Sequence, residues 1–126
     1  MDFHAHVYFD DDEHDFALQF KAAVTLAFPQ MEVGRFHVRI GPHTKAMFQI
    51  AYAQEDSDAL MVYFDEHIPM RSVLIHPLID DVLAAHTTAA TWRGPVLPLN
   101  LSMFDHEVFR QYGLIRVFAA KIIQDP

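Results

Sequence analysis

A chain of 126 residues, 52% apolar and 21% charged, is long enough to bury one real core and has an ordinary globular balance. It contains no cysteine, which excludes disulfides, thiolate catalysis and thiolate metal sites, so any metal must sit on histidine, carboxylate or water. A formal charge of −8 argues against a nucleic-acid partner, no apolar run reaches the length of a membrane span, and MDFHAHVYFDDDEH has neither the basic start nor the apolar stretch of a signal peptide, so the expected location is the cytoplasm.

The first expected strand is Phe3–Phe9, closed by the acidic turn Asp10–Asp12. A helix follows from Glu13 to Phe28, with Asp12 as N-cap, an apolar stripe of Phe16, Phe20, Ala23, Val24 and Ala27, and Pro29 as terminator. Gly34–Ile40 alternates as a strand, with Phe36, Val38 and Ile40 toward the core and Arg35, His37 and Arg39 away from it. Gly41-Pro42-His43-Thr44 is a turn into a third strand, Ala46–Ala53. Asp56 or Ser57 caps a second helix that runs to His67, and Arg71–His76 is a fourth strand. Beyond it, Asp80–Thr91 reads as a helix, Trp92–Leu99 as extended chain, and Asp105–Tyr112 as a short helix ended by Gly113, while Leu114–Ile123 fits either strand or helix.

The order β-α-β-β-α-β gives an α+β class and a ferredoxin-like sandwich with strand order 4-1-3-2 and two helices on one face. The whole of 1–126 is read as a single domain, with a core at about 3–99 and a C-terminal extension at 100–126.

Nine histidines carry the functional signal. His4 and His6 lie two apart on one strand, so they share a face, opposite Phe3, Ala5, Val7 and Phe9. In the expected strand order the end of strand four, with His76, lies beside the start of strand one. Neighbouring strands are about 4.8 Å apart, so three imidazoles from two strands can share one ion. Tyr8, His37 and Arg39, with Arg35 and Gln49 beside them, fall on the same face, expected to be open. His43 sits in the turn, and Asp81, His86 and Thr87 flank a possible cleft, whereas His14, His67 and His106 lie in acidic helical contexts and read as solvated.

HAHVYFD, GPHTKAMFQIAY and SVLIHP followed by AHTTAATWRG, in that order, resemble the DOPA 4,5-dioxygenase family over about Phe3 to Leu99. The resemblance implies a ferredoxin-like fold and extradiol opening of a catechol by O2 at a non-haem Fe(II), with zinc or another divalent metal as a possible occupant. The expected ligands are His6 and His76 with His4 completing the set. His43 and His86 are the expected catalytic residues, His43 being able to exchange roles with His4. Tyr8 would pack on the substrate ring, and His37 or Arg39 would hold a substrate carboxylate. The chain departs from the family at Thr44, where a second proline is usual, and at Ala85-His86, where a carboxylate next to histidine is common. An open apolar-and-imidazole sheet face also predicts a homodimer, with the tail from Leu101 as a clasp. Two rival readings use the same residues: a dimeric ferredoxin-like binding module with histidines at the interface, and a metal enzyme of other chemistry on this scaffold.

Overall fold

The acidic turn after the first strand sets where the first helix begins. In the computed structural model, which describes residues 1–104, Phe3–Phe9 forms β1 and Asp11–Glu13 makes one tight turn of helix. The Glu13 carboxylate accepts the Asp10 backbone N–H at 2.8 Å, so Asp10 opens the helical turn and the expected N-cap at Asp12 lies inside it. Helix α1 then runs His14–Ala27 and buries Ala17, Phe20 and Val24. Phe16, expected on that stripe, lies at its edge, 40% exposed.

The expected strand Gly34–Ile40 is replaced by a short strand and an irregular crossing. Strand β2 is only Glu32–Val33, pairing with Ala51 and Ile50 of β3 (Ala46–Tyr52). Pairing resumes at a lone bridge between His37 and Met47, so four residues on one side span three on the other. That extra residue is a bulge, and Gly34, whose N–H reaches the Gln49 carbonyl at 2.7 Å, stands at its start. Beyond it the ladder does not recover, and Val38 (71% exposed) and Ile40 lie at the surface instead of in the core.

Helix α2 is Ser57–His67 and β4 is Val73–Pro77. Helix α3 is Val82–His86, much shorter than the expected Asp80–Thr91. Asp81 caps it by accepting the Ala84 N–H at 3.0 Å. It stops where Thr87 turns its hydroxyl back to the Leu83 carbonyl at 2.6 Å, in a Thr-Thr pair of weak helix propensity. Thr91–Arg93 forms β5, an edge strand the sequence pattern did not separate from its extended surroundings. Gly94 follows it at φ +68, with the Arg71 carbonyl oxygen 2.5 Å from where a Cβ would stand.

The sheet is antiparallel in the order β2-β3-β1-β4-β5, so the first four strands take the expected order and β5 extends the β4 edge. Both long helices pack on one face. Phe20 and Val24 of α1 and Leu60 and Phe64 of α2 meet Ala5, Val7 and Phe9 of β1 and Phe48 and Ile50 of β3. Among the described residues the architecture is therefore a mixed α/β domain with a five-stranded antiparallel sheet and three α-helices.

The opposite sheet face was expected to be open, and it is covered. The Pro42–Thr44 turn folds back over it and is latched to the Pro98–Asn100 segment. Thr44 Oγ1 donates to the Pro98 carbonyl at 2.7 Å, Asn100 N–H to the Pro42 carbonyl at 2.7 Å, and His43 bridges to Leu99. Trp92, Leu97 and Leu99 pack there on Tyr8, Met47 and Leu74. The departure at Thr44 thus supplies a hydroxyl to this latch. The expected helix at Asp105–Tyr112, the segment Leu114–Ile123 and most of the clasp lie outside the described residues. Among the described residues, no helix is long and apolar enough to cross a membrane.

Candidate metal centre

Strand periodicity builds the floor of the site. His4, His6 and Tyr8 project from one face of β1, and register places His4 opposite His76 on β4 and His6 opposite Gln49 on β3. The latched turn brings His43 over His6, with ring centroids 4.3 Å apart, and α3 brings His86 to 4.4 Å from His76. Five histidines from four separate stretches thus converge, and their ligand nitrogens form two triads within 4.8 Å: His4, His6, His76 and His6, His43, His86. His6, His43 and His76 are buried, at 3%, 4% and 5% exposure.

Burial dominates the electrostatics. It holds His6 well below the usual imidazole range, reinforced by the surrounding rings, and lowers His43 to about 3 with His86 and His76 adding to the effect. Burial and the His76 ring bring His4 to about 4. Burial likewise lowers His86 to about 4 and lowers His76, against the opposing pull of the Val82 and Pro77 carbonyls. At neutral pH the cluster is a set of uncharged rings, the form in which imidazole binds a metal.

Each neutral ring carries one N–H, and its partners settle where. His76 Nδ1 lies 3.0 Å from the Pro77 carbonyl and His86 Nδ1 2.8 Å from the Val82 carbonyl. A carbonyl only accepts, so both rings are protonated at Nδ1 and present a basic Nε2. This is the outer-shell arrangement that orients metal-binding histidines. His6 Nε2 lies 2.9 Å from His76 Nε2 and must be the donor, which leaves His6 Nδ1 buried with no partner among the described residues. Tyr8 has the opposite effect on His43. Its hydroxyl, buried and kept protonated because burial raises its pKa, lies 2.6 Å from His43 Nδ1 and donates to it, so His43 carries its proton on Nε2.

The cluster lies in a cavity of about 320 Å³. Beyond the five histidines its walls are Ile40, Pro42, Met47, Gln49, Leu78, Ile79, Val82 and Ala85 among others. The structure therefore brings together His4, His6, His43, His76 and His86, with Tyr8 behind His43. It does not bring in Arg39, which bonds the Thr44 carbonyl and lines a different cavity with Asp10 and Lys45, nor His37, which is held by backbone pairing to Met47. His14 and His67 are exposed, as expected, and His106 is outside the described residues. Sequence reading missed the apolar wall. The pair Leu78-Ile79 directly after strand-ending Pro77 was its one visible sign. It also missed Trp92, which stacks on Tyr8 at 5.8 Å.

The sequence model described as the Dopa 4,5-dioxygenase family matches residues 3–103. This chain belongs to the Dopa 4,5-dioxygenase family. Among curated relatives, a protein of Amanita muscaria named DOPA 4,5-dioxygenase is 30% identical over 110 residues, covering 80% of this chain and 48% of its own length. An uncharacterized 21.2 kDa protein of Botryotinia fuckeliana is 30% identical over 114 residues, covering 80% of this chain and 62% of its own. The chain thus spans about half to three-fifths of the curated relatives it matches. A crystal structure from Nostoc punctiforme, described as a candidate dioxygenase, superposes with a TM-score of 0.74 at 31% identity, covering 88% of this chain and 92% of that one.

Proposed function

We propose that this protein is an extradiol dioxygenase that opens a catechol ring with O2 at a divalent metal, Fe(II), on a ferredoxin-like scaffold. The observation that carries the reading is the His4, His6, His76 triad, flanked by two further histidines of opposite tautomer. The residues fit a metal on three counts: the rings are neutral, His76 has its Nδ1–H anchored on a carbonyl, and the paired Nε2 atoms of His6 and His76 converge. When bound, the ion would bring catecholate and O2 together and leave coordination positions open to both. Both oxygen atoms enter the product, so no external reductant is needed.

The chain's own residues divide the proton work. His86, protonated at Nδ1, offers a basic Nε2 and takes the proton of a catechol hydroxyl. His43, protonated at Nε2 because Tyr8 occupies its Nδ1, returns a proton to the oxygenated substrate. His43 is the poorer ligand because the Tyr8 hydroxyl occupies its Nδ1 and holds the proton on Nε2, whereas His6 Nδ1 has no partner among the described residues and can take the proton that Nε2 gives up to an ion, which favours His4, His6 and His76 as the ligand set. Gln49 and the apolar wall orient the ring and keep water out. The homodimer expected from the sequence belongs to the same reading. Sedimentation velocity tests it.

The deciding experiment loads the protein with Fe(II) anaerobically and adds a catechol and O2. A yellow ring-opened product, at one O2 per catechol, is expected. His76→Ala should lose metal and turnover together, and His43→Gln should keep the metal and lose about 10²–10⁴ in rate. Protein that retains no divalent metal under any condition would overturn the reading in favour of a binding module.

A further inference from the structure

Of the five clustered histidines, His43 alone is carried by neither a named strand nor a helix. Its turn is closed by the His43 N–H, which donates to the Ile40 carbonyl at 3.1 Å, with Gly41 at φ +57. That bond bends the chain but does not aim the ring. The aim comes from links on both sides of His43. Before it, the Pro42 carbonyl accepts the Asn100 N–H at 2.7 Å; after it, Thr44 Oγ1 donates to the Pro98 carbonyl at 2.7 Å. The strap they reach is itself seated. Leu99 packs on Tyr8, Met47 and Leu74, and the Asn100 side-chain oxygen accepts the Ser102 N–H at 3.2 Å. Arg39 steadies the near side of the turn, reaching the Thr44 carbonyl at 3.4 Å. With the turn fixed to the strap, the His43 ring stands with Nδ1 2.6 Å from the Tyr8 hydroxyl and its centroid 4.3 Å from that of His6.

We infer that Thr44, through its hydroxyl bond to the Pro98 carbonyl, is a positioning residue that sets where the His43 ring stands between Tyr8 and His6. Its effect on turnover rests on the proton-carrying role proposed above for His43; its effect on the place of the ring does not. The hydroxyl is the part of Thr44 that matters, because valine has the same shape and cannot donate. A misplacement of about 1 Å costs a reacting group about a hundredfold, and since the Asn100 link survives, loss of the hydroxyl alone should cost about tenfold.

The test compares wild type with Thr44→Val, Thr44→Ser and Asn100→Pro, the last of which cuts the other link by removing the N–H that Pro42 accepts. In the Fe(II)-loaded protein, Thr44→Val should lower kcat about tenfold while KM for catechol stays within about twofold, and Thr44→Ser should restore kcat. Metal per protomer should not change, and the melting midpoint of Thr44→Val should fall by a few degrees at most, since this hydrogen bond lies at the surface. Nitrogen NMR of the metal-free protein reads the placement directly. The His43 Nδ1 resonance, which reports the bond from Tyr8, should shift in Thr44→Val and in Asn100→Pro and return in Thr44→Ser. An unmoved resonance in Thr44→Val overturns the inference, and so does a Thr44→Ser protein that behaves like the valine variant. If no form of the protein turns over a catechol, the dioxygenase reading falls and the nitrogen resonance alone decides the role of Thr44.

Discussion

Tyr8→Phe isolates the bond on which the proposed division of the histidines into ligands and proton carriers rests. The substitution keeps the ring stacked on Trp92 and removes only the hydroxyl that lies 2.6 Å from His43 Nδ1. Both groups are buried, at 2% and 4% exposure, so water cannot replace the lost partner. Leaving one buried ring nitrogen unsatisfied costs about 1–3 kcal/mol, which for a domain of this size lowers the melting midpoint by on the order of 5 °C. His43 is then free to move its proton to Nδ1 and present a bare Nε2. Loss of such an outer-shell contact typically costs about 10–100-fold, so kcat should fall by that factor, less than in His43→Gln. Metal per protomer, measured by elemental analysis, should stay at the wild-type value. Nitrogen NMR of the metal-free protein gives an independent readout: His43 Nδ1 should show the shift of an accepting, unprotonated nitrogen in wild type and lose it in the variant. If Tyr8→Phe releases the metal, His43 is a ligand and the assignment of roles fails. If it changes neither stability nor tautomer, the hydrogen bond is idle.

Stability of the metal-free protein should depend on pH through the buried imidazoles. Their folded pKa values are depressed, to about 4 for His4 and His86 and about 3 for His43, against an ordinary 6.5. Between those values the unfolded chain binds more protons, so the stability they contribute is complete above about pH 6.5 and is lost as pH falls toward 4, which urea midpoints across that range will check. Constant midpoints would mean that the rings titrate as exposed groups. Gly94→Ala should cost at least about 2 kcal/mol, because φ there is +68 and a Cβ would strike the Arg71 carbonyl, a loss visible in thermal melts and accompanied by release of β5 from β4.

The strands that carry the site were legible because their periodicity is clean. FHAHVYF alternates without interruption, so the shared face of His4, His6 and Tyr8 and the adjacency of His76 both follow from it. What the pattern hid depends on single residues and on distant contacts. The bulge at Gly34 shifts pairing by one residue, and no local feature of GRFHVRI distinguishes a continuing ladder from one that ends there. That shift leaves Arg39 outside the cavity. The covering of the sheet face by the Pro42–Thr44 turn depends on partners at Pro98 and Asn100, more than fifty residues away, which periodicity does not report. His86 illustrates the middle case. Its type and neighbours were visible, but its Nδ1 anchor on the Val82 carbonyl exists only because α3 is helical there.

The two strand histidines that meet through their Nε2 atoms, His6 and His76, are 70 positions apart in the chain, and β1 lies between β3 and β4. An ion cannot gather these rings from an unfolded chain at modest concentration, since closing so long a loop is entropically expensive and β1 must already be paired on both sides. The domain should therefore assemble around its aromatic core first, and an ion at the proposed centre would bind afterwards. An ion bound there would act as a late stabiliser by mass action, worth about 2.7 kcal/mol at a free concentration one hundred times its Kd. Cells short of the metal would accumulate a folded, inactive protein awaiting its ion, and activity would be governed by metal supply more than by folding.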